Sequence, residues 1–136
     1  MIRVGIIGCQ KFWKIGCPGI YSHVLCFEAL NQRQGPLGKI PDAIIADIQP
    51  CQGCPGDHRL ELARQMLISS QVHRIVFASC MFTNAPCLTA ETSARQIETM
   101  LHCQVIRGSY YPLTDESRKY QPLQYLSSDL AERLTG

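Results

Sequence analysis

Four short apolar runs constrain this chain more than any other feature. They are residues 2–8 (Ile-Arg-Val-Gly-Ile-Ile-Gly), 43–48 (Ala-Ile-Ile-Ala-Asp-Ile), 74–78 (Arg-Ile-Val-Phe-Ala) and 103–106 (Cys-Gln-Val-Ile). None alternates polar and apolar residues over its length. Runs of this kind read as strands buried on both faces, which is the habit of parallel sheets. Helical spacing separates them: Ile20, Val24, Phe27 and Leu30; then Leu60, Ala63 and Leu67; then Ala90, Ala94, Ile97 and Leu101. The pattern predicts alternating strands and helices, with a weaker helix at about 123–134. That order is α/β: a single-domain, three-layer α/β/α sandwich on a mainly parallel four-stranded sheet, flavodoxin/Rossmann-like, with right-handed crossovers. A strand order of 2-1-3-4 is expected. With 136 residues the chain has the size of one domain. It reads as a unit over 1–110 and a C-terminal extension over 111–136 whose helix packs on the same domain. Residues 32–42 and 107–122 read as connections.

Composition excludes several classes. Net charge is +2 and there is no run of Lys or Arg, so nothing points to nucleic acid or a membrane surface. The opening Met1–Gly8 segment is too short an apolar stretch for a signal core, and no stretch is long enough to span a bilayer. A cytoplasmic location is expected. The eight cysteines then sit in a reducing compartment, where clustered thiols bind metal or do chemistry more often than they form disulfides.

Their positions are informative. Cys9 follows the first strand and Cys17 lies in the same loop. Cys51 and Cys54 follow the second strand, Cys80 follows the third, and Cys87 lies beyond it. In a parallel sheet all carboxyl ends lie along one edge, and ligand sites form there. Adjacent strands are about 4.8 Å apart, so loops from three neighbours meet within about 10 Å. Six cysteines spread along the sequence should converge. Each of Cys17 and Cys54 precedes a Pro-Gly pair, and proline favours the first position of a helix. Both are therefore expected near helix N-termini, where the dipole favours thiolate. Cys26 should lie close to the site within the first long helix. Cys103, at the start of a strand, reads as core. His23 and His58 lie near helix starts at the same edge and are more simply packing or solvated groups.

Other motifs fail. Gly5 and Gly8 do not make a dinucleotide-binding fingerprint, which needs a third glycine. Arg59 comes five residues after Cys54, where a cysteine phosphatase loop would place it six after. No phosphate-binding P-loop exists.

Together, Gly8-Cys9, Cys17-Pro18-Gly19, Cys26-Phe27 with Ala29, Cys51-x-Gly53-Cys54-Pro55-Gly56-Asp57, and Ala78-Ser79-Cys80 with Cys87 resemble the CGGC-domain family over about residues 2–109. Gln52 stands where the signature has its first glycine, and Gly108-Ser109-Tyr110 replaces the Gly-Thr-His-like end common in the family. The resemblance implies metal binding, with Cys9, Cys17, Cys26, Cys51, Cys54, Cys80 and Cys87 as candidate ligands, and it supplies no reaction.

Soft thiolate ligands suit zinc, iron–sulfur clusters or copper(I). The candidates outnumber what one zinc needs, so an iron–sulfur cluster is the first expectation and zinc the second. A C-x-x-C thiol–disulfide oxidoreductase using Cys51 and Cys54 is the third. A redox protein is the expected partner. Phe12, Trp13 and Phe82 are expected to shield the site or form a docking patch.

Overall fold

The computed structural model describes residues 1–15, 25–82 and 87–110. Cys17, His23 and the 111–136 extension with its expected helix lie outside the described residues.

Four strands form one sheet: β1 (Ile2–Gly8), β2 (Ala43–Pro50), β3 (Arg74–Phe77) and β4 (Val105–Arg107). The order is β2-β1-β3-β4, and every pair is parallel. The expected order and direction both hold. Adjacent residues point to opposite faces, because side chains in a strand alternate. Ile7, Phe77, Ile75 and Val105 therefore pack on one face and Val4, Ile6 and Val76 on the other. All seven are at most 2% exposed. Each contributes about 1.5–3 kcal/mol by leaving water, which is why the runs are apolar throughout.

Helices cover both faces. α4 (Arg59–Ser69) and α5 (Ala90–Leu101) pack with Ile7 and Phe77, whereas α2 (Leu25–Asn31) and the single turn α3 (Gly35–Gly38) pack with Val4 and Ile6. The register of β1 on β2 shifts between Val4 and Gly5. Gly5 lets α4 sit close to β1: a Cβ there would stand 2.7 Å from the Met66 Sδ, inside van der Waals contact.

Three expectations need correction. A short helix, α1 (Gln10–Ile15), occupies what reads as loop after β1; too short for a hydrophobic repeat, it leaves no periodic signal. The 32–42 connection contains α3, marked only by Pro36 in its first turn. Phe27, expected on the apolar stripe, is 42% exposed, while Leu25, Cys26 and Ala29 face the core.

The carboxyl ends of the strands are held level by backbone hydrogen bonds that continue past them. The Cys51 N–H donates to the Gly8 carbonyl at 2.8 Å, Ala78 to Ile7 at 2.9 Å, and Gly108 to Phe77 at 2.8 Å. The residues that follow β1, β2 and β3 are thereby presented side by side.

Candidate functional site

Cys9 is the first residue after β1, and its carbonyl accepts the N–H groups of Phe12 and Trp13, starting α1. Cys51 is the first residue after β2 and is 2% exposed. Its Sγ accepts the Gln10 N–H at 3.3 Å. Cys80 lies in a 3₁₀ turn, Ser79–Met81, directly after β3. Its Sγ accepts the Cys9 N–H at 3.3 Å. Cys87 is pinned by its own N–H, which donates to the Met81 carbonyl at 2.7 Å. These four and Cys54 line a single cleft of about 580 Å³ at the carboxyl edge of the sheet. Of the six cysteines expected to converge, these five do; Cys17 lies outside the described residues.

Cys54 arrives there by a different route from the expected one. Residues 53–56 make a tight turn, with a cis Cys54–Pro55 bond and a Gly56 N–H donated to the Gly53 carbonyl at 3.0 Å. Gly56 has φ +90°, which no helical residue adopts. The helix therefore begins at Arg59 rather than Pro55. Cys54 is exposed and lies outside that first turn, so the α4 dipole does not act on it, since the effect fades within one turn.

Cys26 sits on the other face of the sheet. Its Sγ is 3.1 Å from the Ser109 Oγ. With Cys9, Cys80, Phe12 and Trp13 it lines a separate apolar cavity of about 30 Å³. Cys9 and Cys80 thus border both spaces, and the aromatic pair walls the smaller one. Phe82 is core on the α5 side. Cys103 is buried at the amino end of β4, as expected. Its Sγ lies 3.6 Å from the His73 carbonyl, and burial pushes its thiol pKa up. His58 does not reach the cleft; it lines a shallow hollow with Glu61 and Gln65.

The residue that sequence reasoning missed is Arg59. It is 2% exposed and lines the cleft. One terminal nitrogen donates to the Cys87 Sγ at 3.0 Å. The other donates to Thr89 Oγ1 at 3.0 Å and Ser93 Oγ at 3.1 Å. Nε is buried without a hydrogen-bond partner among the described residues. Gly56 makes room for the side chain, since a Cβ there would run into the guanidinium. No carboxylate pairs with Arg59 among the described residues.

A guanidinium is always charged, and a buried charge needs a counter-charge. Cys87 is placed to supply it. Burial alone would raise the Cys87 pKa, but hydrogen bonding with the Thr89 side chain and backbone and with Arg59 brings it below the ordinary thiol value. Burial likewise opposes the charge on Arg59, and Cys87 and Cys51 more than restore it. The sequence holds no signal for this: Pro55 reads as the helix start, and only the structure places Arg59 first in α4, where the helix dipole disfavours a cation.

Among the described residues, no three His, Cys, Asp or Glu side chains close on a single point that could hold one metal ion, and no cysteine is in a disulfide.

A family model for the CGGC domain matches residues 3–110. The chain belongs to the CGGC-domain family. An uncharacterised protein of Methanocaldococcus jannaschii is 31% identical over 111 residues, covering 80% of this chain and 87% of that protein. No solved structure matches. The CGGC domain here is a cysteine-rich parallel α/β unit with five of its thiols gathered at the carboxyl edge of the sheet. Among the described residues no helix is long and apolar enough to cross a membrane.

Proposed function

We propose that the thiol-lined cleft is a soft-metal site, and that the metal is an iron–sulfur cluster serving electron transfer or redox chemistry in the cytoplasm. The observation that carries this reading is the meeting of five cysteines from the ends of three strands and the loop beyond on one 580 Å³ cleft. Thiolates spread around a space of that size suit a polynuclear centre, where each iron takes its own cysteine. A structural zinc instead draws four ligands to about 2.0–2.3 Å from one point.

Cys9, Cys51, Cys54 and Cys80 would hold the cluster. Cys87 lines the same cleft, but its sulfur is engaged by Arg59 at 3.0 Å. Backbone N–H groups already aim at two of the four sulfurs. Such donors stabilise thiolate ligands and tune a cluster's potential. The cluster would supply one-electron redox capacity; the chain supplies the thiolates and the backbone donors. The test is purification without oxygen, followed by iron, sulfide and zinc analysis. Brown protein with iron and acid-labile sulfide in equal amounts is the expected result. Colourless protein with one zinc per chain overturns the iron–sulfur assignment and leaves a zinc domain.

A further inference from the structure

A second groove, of about 430 Å³, lies between α2 and the amino half of β2. Phe27, Leu30, Asn31 and Arg33 line one side of it, and Ala43, Ile44 and Ile45 the other. Its walls call for a cover. Phe27 is 42% exposed on a helix whose Leu25, Cys26 and Ala29 are buried, and a phenylalanine left in water forgoes the gain of burial. β2 is an edge strand. An edge offers unpaired backbone N–H and C=O groups, which proteins guard with charges or a covering element. Ala43–Pro50 carries one charge, Asp47, and that carboxylate is engaged by the Ser70 hydroxyl at 2.8 Å and the Gln49 amide at 3.1 Å.

The chain itself supplies a segment for that cover. The Leu37 N–H donates to the Ser109 carbonyl at 3.1 Å, and a Cβ on Gly35 would run into the Tyr110 backbone. Gly35 is two residues from Arg33, so the described chain ends beside the rim of the groove. Residues 111–136 follow. Among them Leu123, Leu126, Leu130 and Leu134 recur at i, i+3, i+7 and i+11, the spacing by which an amphipathic helix anchors in a groove. Asp129 falls beside that stripe in the sequence. Arg33 on the rim is exposed and pairs with no carboxylate among the described residues, so the charges are complementary. Residues 111–122 can reach up to about 40 Å. A tether of that length gives an effective concentration of about millimolar, which favours this segment over a second copy of the chain. We propose that residues 123–134 dock as a helix in the groove between α2 and β2, with their leucines on Phe27, Leu30 and Ile44, and so cover the edge of the sheet.

The test uses the full chain with p-benzoylphenylalanine in place of Phe27, irradiated at low protein concentration and mapped by peptide mass spectrometry. The expected product is a cross-link within one chain, from position 27 to residues 123–134. Hydrogen exchange then reads the protection. Leu130→Asp should speed exchange of the 43–46 amides about tenfold, and Phe27→Asp should do the same to 123–134. Phe27 is already exposed, so its change leaves the core intact, and circular dichroism confirms that each variant is folded. A cross-link between two chains assigns the groove to a second copy and overturns the proposal. So does a cross-link to another segment, the absence of any, or unchanged exchange over 43–46 in folded Leu130→Asp. Neither thiols nor metal enter these readouts, so this inference and the metal reading fail separately.

Discussion

Two arginines of this protein do opposite things with the same fork. Arg107, at the end of β4, is about a quarter exposed and binds two glutamates of α5, Glu91 and Glu98, with N···O distances of 2.9 to 3.0 Å. Arg59, at the start of α4, is buried and binds a thiol and two hydroxyls. Arg107 ties a helix to an edge strand in reach of water, where either charge can be hydrated if its partner is lost. Arg59 has no such exit. Carboxylates mark the arginine that staples the fold; thiols mark the one that charges the cleft.

The comparison is sharpest when the partner is removed. Cys87→Ala strands a buried guanidinium that cannot lose its proton, and should cost about 3 kcal/mol or more by urea unfolding. Arg59→Met is the gentler change, because a lone thiolate simply protonates. It should cost about 1–2 kcal/mol, mainly the hydroxyls of Thr89 and Ser93 left without their donor. The double variant should be more stable than Cys87→Ala alone. If Cys87→Ala is the milder of the two single changes, the guanidinium is not compensated by that sulfur.

A control on the opposite face should fall between these and the surface. The Ser79 Oγ accepts the N–H groups of Ser109 and Tyr110 at 2.8 and 3.0 Å in a buried setting. Ser79→Ala leaves both donors unsatisfied and should cost about 1–3 kcal/mol by urea unfolding.

Arg107→Ala should have the smallest effect, under about 1 kcal/mol, because water and salt screen so exposed a pair. Its pH dependence has a definite sign. Hydrogen bonds from Arg107 hold Glu91 and Glu98 below the usual carboxylate range. Their contribution is therefore present above an unfolded-state pKa of about 4.3 and is lost as pH falls through the lower folded values. Stability curves of the wild type and Arg107→Ala should differ at pH 6 and converge in acid. A gap that widens in acid would contradict the assignment.

Much of this layout is legible in the sequence. Runs such as Val4-Gly5-Ile6-Ile7 and Ile75-Val76-Phe77 carry no alternation, and that alone calls for a parallel sheet covered on both faces. Once the sheet is parallel, Cys9, Cys51 and Cys80 fall at its carboxyl edge by topology. What stays hidden depends on local backbone and on tertiary contact. Pro55 reads as a helix start, but Gly56 at positive φ turns the chain away and delays the helix to Arg59. Cys26 lies near Cys9 in the fold but across the sheet from the cleft, because the face a helical residue presents depends on how α2 docks. The role of Arg59 leaves no mark in the sequence because its partners, Cys87, Thr89 and Ser93, lie about thirty residues away.

The central claim is that one edge of the sheet gathers thiols for a metal while the other buries one as packing. Metal content of two matched variants tests it most directly. Iron, sulfide and zinc should be counted per chain in anaerobically purified Cys51→Ser and Cys103→Ser beside the wild type. The account predicts loss of most of the metal in Cys51→Ser and wild-type content in Cys103→Ser. Equal metal in all three, or loss confined to Cys103→Ser, would contradict it.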